Sequence, residues 1–286
     1  MGAVGAIIVF LCVFGAYAVH GGHLLVLWQP AEFVIIGGAA LGALIIGNPM
    51  SVAKTSISMA IKAWFGKGPS KTDYTELLQM MFQLFQIFRK DGPQAVERHI
   101  EEPEKSEIFK QYPSFLKNHH AVDFLCDTMK ITLSADLSQY DVDDLLDQDL
   151  KVMHEEEHAA QHAINQVAEA LPGLGIVAAV LGVVHTMGYL TAGTEKIGEL
   201  IGAALVGTFF GVLMCYGFVG PTATKMGQDI NAAGRYLAVI KAAMVALQRG
   251  APPLVCVEYA RRTIYPHDRP TFAEMDAATK GAKKAA

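Results

Sequence analysis

Charge is spread unevenly along this chain. No Asp, Glu, Lys or Arg occurs in residues 1–31, 33–53, 170–194 or 200–224. A bilayer core about 30 Å thick is crossed by roughly 20 apolar helical residues, so the pattern predicts four spans, near 2–20, 32–50, 170–190 and 200–222. The first run has no Lys or Arg before it. It is also about twice the length of a signal peptide's apolar core, so it reads as a retained span. Outside these runs the apolar positions follow helical spacing. Residues 71–91, "KTDYTELLQMMFQLFQIFRKD", predict an amphipathic helix ended by Gly92-Pro93, and "QAVERHIEEPEKSEIF" predicts a second helix directly afterwards. Arg89 and Glu97 then flank the corner where the two meet. Residues 113–168, with acidic caps and turns around 138–150, and residues 225–249 also read as helical, and the four prolines of "APPLVCVEYARRTIYPHDRPTF" predict a compact irregular tail.

Charge sets the topology. The loops 20–30 and 191–199 together hold one basic residue, Lys196. The other 22 Lys and Arg divide as 12 in residues 54–168 and 10 in residues 225–284. The positive-inside bias therefore places both long segments and both termini in the cytoplasm. The predicted fold is an all-α integral membrane protein of two transmembrane hairpins with a large helical cytoplasmic insertion. Its segments are residues 1–53 (spans one and two), 54–169 (cytoplasmic helices), 170–222 (spans three and four) and 223–286 (cytoplasmic helix and tail).

Composition narrows the function. A net charge of −5 with mixed signs gives no footprint for nucleic acid. Without a glycine-rich phosphate loop or strand alternation, a nucleotide-binding α/β domain is disfavoured. Cys12, Cys126, Cys215 and Cys256 are widely separated and read as buried, reduced thiols. His154, Glu155 and His158 match the H-E-x-x-H zinc spacing, with His162 a turn further on, and would make a membrane metalloprotease the rival reading. Three consecutive glutamates at its centre fit a solvated helix better, so no metal or enzymatic activity is assigned.

Small residues recur in the spans at Gly38 and Gly42, at Gly173, Gly175 and Gly182, and at Gly202, Gly207 and Gly211. Such spacing lets helix backbones approach closely. Packing inside one chain accounts for about half of them, and self-association or a partner helix for the rest. Polar atoms are few: Thr208 lies a third of the way along span four, and His185 and Thr186 lie near the outer end of span three. Pro172 starts span three, Pro221 ends span four, and Glu32 stands at the outer mouth of span two. An ion path needs an ionisable group within the membrane. With no Asp or Glu at mid-span, a partner has to bring it.

"ALPGLGIVAAVLGVVHTMG" and "LVGTFFGVLMCYGFVGPTAT" resemble spans three and four of the flagellar stator family MotA, within the MotA/TolQ/ExbB proton channel superfamily. "WQPAEFVIIGGAALGALIIGN", "VERHIEEPEKSEIF" and the tail extend the resemblance nearly end to end. It implies a ring of A subunits, five of them, around the spans of two MotB subunits, which bring the membrane aspartate and a peptidoglycan anchor. It also implies a push on the rotor protein FliG. By motif, Pro172 and Pro221 couple ion flow to movement, Thr208 faces the aspartate, and Arg89 and Glu97 engage the rotor. Sodium-driven relatives carry a second threonine where this chain has Ala179, which favours protons as the coupling ion and requires no cofactor. ExbB and TolQ, proton-driven transducers with three spans, are the alternative within the superfamily, and a purely structural scaffold is the alternative outside it.

Overall fold

The computed structural model describes residues 2–135, 137–191 and 193–285, with side chains through Thr279. Among the described residues every regular element is helical. Four helices are long and apolar enough to cross a membrane. They are α1 (Gly2–Val19), the segment Leu24–Gly47 containing α2 (Pro30–Gly47), and two much longer helices, α7 (Gln139–Met187) and α8 (Thr194–Gln248). Between α2 and α7 come α3 (Met50–Phe65), α4 (Lys71–Asp91), α5 (Pro93–Glu101) and α6 (His119–Ser134). After α8 come α9 (Pro253–Thr263) and α10 (Phe272–Ala285).

The chain divides into two compact units. The first comprises Met1–Lys67 and Glu155–Ile230. Its core is narrow: Ile36 and Ala40 of α2 meet Ala168, Leu171 and Ala178 of α7 and Cys215 of α8. Ala63 of α3 packs with Ile164, Ala223 and Met226 in a second small cluster. Large apolar side chains instead face outward, among them Ile46, Val184, Leu205 and Tyr216, and none of α1 is buried. In water such a surface would be an aggregation hazard. On membrane helices it is the face offered to lipid and to neighbouring helices.

The second unit comprises Gly68–His154 and Asn231–Ala286 and has an ordinary water-soluble core. Leu77, Leu78, Met80, Met81, Leu84 and Phe85 of α4 are fully buried with Ile100, Phe109, Phe115, Leu125 and Met129. Ser70 and Asp73 form a capping box that starts α4, and Gly92, at φ +87°, turns the chain into α5. The Lys241 ammonium pairs with Asp143 at 2.8 Å and Asp147 at 2.5 Å.

Three expectations about local structure are corrected. The helix after Gly92-Pro93 ends at Glu101 rather than running to Phe109, because Pro103 cannot continue it and 3₁₀ turns follow. After residue 252 the tail is irregular only over residues 264–271, because Pro253–Thr263 forms a helix ahead of it. Pro253 occupies the first turn of α9, where its missing N–H is harmless, and Arg261 and Arg262 clasp Glu258 within the helix. Neither membrane proline marks a helix end. Pro172 lies inside the 49-residue α7, and Pro221 lies where α8 continues to Gln248.

Candidate functional site

The prolines have different local settings. Pro172 removes one backbone hydrogen bond from the interior of α7 and presses its ring toward the preceding turn. Pro221 follows a π-helical stretch, Met214–Val219, in which the Gly220 N–H reaches back to the Cys215 carbonyl. That widened turn is where a helix admits a ring without breaking. It also explains Gly220, since a Cβ there would sit 2.8 Å from the Cys215 oxygen.

Spans three and four cross through their glycines. A Cβ on Gly175 would stand 2.7 Å from the Gly207 carbonyl oxygen, and one on Gly211 would stand 2.5 Å from the Leu171 carbonyl oxygen and 3.0 Å from the Gly175 Cα. At Gly182 the obstruction is Ala204, 2.6 Å away. Backbones this close bring interhelical dispersion contacts that no larger residue permits. The Gly211 contact falls on the carbonyl directly before Pro172, so span four touches span three at its weakened point. The remaining glycines behave differently: a Cβ on Gly38, Gly42, Gly173 or Gly202 meets nothing within 4 Å. About half the small positions thus serve this chain's own packing, and the others present open faces.

Thr208 and Ala179 lie together at this crossing. The Cβ position of Gly175 is 3.3 Å from the Thr208 Cα, and that of Gly207 is 3.2 Å from the Ala179 backbone nitrogen. Thr186 and Thr222 spend their hydroxyls on Gly182 and Phe218 carbonyls, at 2.8 and 2.7 Å. Half-buried Thr208 makes no side-chain hydrogen bond among the described residues, so its hydroxyl is uncommitted. His185 is exposed and lies against Tyr189, with ring centroids 5.1 Å apart.

One residue departs from the sequence reading. Glu32, placed by sequence at the outer mouth with no acid below it, is 8% exposed, and its carboxylate enters the packing of the spans. The Gly207 Cβ position is 2.7 Å from its Oε2 and the Gly182 Cβ position 3.5 Å from its Oε1. Gly207 is seven residues, about 10 Å, inside the predicted outer end of span four. The spans therefore hold an acid of this chain's own, enclosed against Gly207. The signal was available in the sequence: Glu32 is the sole charge in residues 1–53.

In the second unit Arg89 and Glu97 are both exposed. The Arg89 guanidinium is not free: it donates to the Gly250 carbonyl and, at 3.1 Å, to that of Ala251. It thereby satisfies the turn after α8, where Gly250 takes φ +78°. Glu97 has no hydrogen-bond or ion-pair partner among the described residues. It lines a groove of about 850 Å³ with Gln94, Glu101, Asp127 and Lys130. Among the described residues no group of three His, Cys, Asp or Glu is placed to hold a metal ion, the His154–His158–His162 run included.

Comparison with known proteins bears on this architecture. Residues 3–92 match the Motility protein A N-terminal family, and residues 117–236 match the MotA/TolQ/ExbB proton channel family, a family of ion-channel and stator subunits rather than enzymes. Motility protein A of Salmonella typhimurium (strain LT2) is 36% identical over 273 residues, 95% of this chain and 92% of that protein. The fold is shared with C. jejuni MotAB, at a TM-score of 0.78 and 17% identity over 95% of this chain and 98% of that one. It is shared also with the flagellar MotAB stator complex from Bacillus subtilis, at 0.72 and 21% identity over 90% and 92%. On this identity across nearly its whole length, the chain belongs to the Motility protein A family.

Proposed function

We propose that this chain is the A-type stator subunit of a bacterial flagellar motor, a multi-pass inner-membrane protein with both termini in the cytoplasm. With MotB subunits it forms a proton path whose flow drives torque on the rotor protein FliG. The observation that carries the reading is the crossing of spans three and four. There an in-helix proline, a glycine-lined contact and an uncommitted threonine hydroxyl occur together on otherwise inert apolar helices. The solved relatives are MotAB complexes, and the open glycine faces of span two and of the ends of spans three and four supply surfaces for the MotB helices and for further copies of this chain. A ring of five around a MotB dimer, set in lipid, is the assembly proposed.

In this reading MotB brings the pathway aspartate and the peptidoglycan anchor. Thr208 faces that aspartate, Ala179 leaves the site with one hydroxyl, and a single hydroxyl suits a proton better than a cation that has to shed water. Pro172 and Pro221 are the points at which spans three and four change shape as the aspartate is protonated and released. A charge crossing 100 mV releases about 2.3 kcal/mol, several times RT, enough to bias such steps. Arg89 and Glu97 meet the rotor, Glu97 as an unpartnered charge and Arg89 through the turn it holds. The test is swimming and tethered rotation of a strain deleted for this gene, with filaments confirmed by microscopy. Flagellated but paralysed cells, rescued by the wild-type gene and not by Pro172→Leu, are the expected result. Unimpaired swimming of the Pro172→Leu strain would remove the coupling role.

A further inference from the structure

The Glu32 carboxylate is the one charged group of this chain placed within the packing of the described membrane helices without a partner. It is more than nine-tenths buried, and its Oε2 is fully enclosed with no hydrogen-bond donor in reach. Enclosure of an ionised, unpaired carboxylate costs several kcal/mol. The glycines beside it, Gly182 and Gly207, offer no side chain to offset it. An acid kept in such a place has to meet a cation there, and the smallest cation needs no further ligands.

We propose that Glu32 is a proton-binding site of this chain on the outer side of the pathway, against Gly207, the residue that precedes Thr208. A hydronium ion arriving from the outer face gives its proton to the carboxylate, leaving water and a neutral carboxyl. The neutral carboxyl then passes that proton to the acid brought by the partner subunit and becomes carboxylate again. Charge and atoms balance over the cycle, and Glu32 ends as it began. Gly207 is then a requirement of the site, because a Cβ there would stand 2.7 Å from Oε2 and displace the carboxyl. The sole charge in the first 53 residues acquires a reason to be there.

Other titratable groups on the elements around it have their own arrangements. On α7, His185 lies three residues beyond Gly182 and packs on Tyr189. On α8, Lys196 pairs with Glu199 at 2.8 Å and Glu195 lies in the first turn. His20 bonds the Ala16 carbonyl at 3.0 Å, and His23 precedes the 3₁₀ turn before α2. None of these makes a hydrogen bond or ion pair with Glu32.

This inference rests on the stator reading, and the experiment separates the two. Motor rotation is recorded from tethered beads at acidic and alkaline external pH under constant ion-motive force, with stator number counted by a fluorescent fusion. Glu32→Gln, which keeps the shape and loses the acid, is expected to incorporate in normal number yet rotate more slowly, the loss growing as external pH rises. Glu32→Asp is expected to recover much of the speed. A Glu32→Gln motor with wild-type speed and pH profile overturns the site while leaving the stator reading intact, since that reading falls only if the gene deletion itself swims. If Glu32→Gln fails to incorporate, Glu32→Asp decides: a shifted pH profile supports the site, and an unchanged one overturns it.

Discussion

Adding one methyl group at Gly211 tests the span crossing directly. In Gly211→Ala the new Cβ would lie 2.5 Å from the Leu171 carbonyl oxygen, about 0.9 Å short of ordinary contact, and 3.0 Å from the Gly175 Cα. Both obstacles are backbone, so no side chain can swing aside, and the helices have to separate at Pro172. Overpacking of this kind costs about 1–3 kcal/mol. Alanine also favours the helix over glycine by up to about 1 kcal/mol, which would mask part of the effect. Gly173→Ala removes that ambiguity, because its Cβ meets nothing within 4 Å and it takes the helical gain alone. The difference between the two variants is the contact itself, about 1–3 kcal/mol in the stability of the isolated chain. Reversible unfolding in mixed detergent micelles would measure it, read by the emission of Trp64, which stacks on Phe218 in the same unit. Equal stability of Gly211→Ala and Gly173→Ala would refute the close crossing.

Three further outcomes are expected in the cytoplasmic unit. Removing the Arg89 guanidinium should loosen the turn at Gly250 and Ala251, so Arg89→Ala should speed amide exchange around residues 249–252 as well as weaken torque; a torque defect with unchanged exchange would make Arg89 purely a rotor contact. The hydrogen bonds of Arg261 and Arg262 hold the Glu258 carboxyl down at about 2, below its ordinary 4.5. Its contribution is present above pH 4.5 and lost as pH falls toward 2, and Glu258→Gln should flatten that part of the acid unfolding curve. Flattening will be partial, because Lys71 and Thr271 depress Glu274 in the same range. Burial pushes the Cys126 thiol up to about 12 and the Cys256 thiol to about 11, so a water-soluble maleimide should label both only after denaturation. Rapid labelling of the folded protein would show the unit opening.

The cytoplasmic helices show how local patterning can be right in kind and wrong in extent. Residues 71–91 carry a strong 3.6-residue period between a capping box and Gly92, so both the helix and its limits could be read from the chain. Beyond Pro93 the same reasoning ran through Pro103, whose ring ends α5. Four prolines in the tail argued for irregular backbone. Pro253 proved compatible with a helix because its position, the first turn, was set by where α8 stopped. Pro172 and Pro221 show the converse. A proline beside a charge boundary looks like a terminus, yet α7 and α8 pass through both residues, because neighbouring packing and a π turn outweigh one lost hydrogen bond.

Sequence by itself determined the number of spans and pointed to the candidate positions Pro172, Pro221, Thr208, Ala179, Arg89 and Glu97. Those follow from composition along a line: transfer of charge into hydrocarbon is costly wherever the helix later packs. Which glycines face a helix and which face outward was decided only in three dimensions. So was the engagement of Arg89 with Gly250, and the enclosure of Glu32 between Gly182 and Gly207. Those depend on which segments distant in sequence come within a few ångströms, and close packing, unlike hydropathy, is a property of pairs of surfaces.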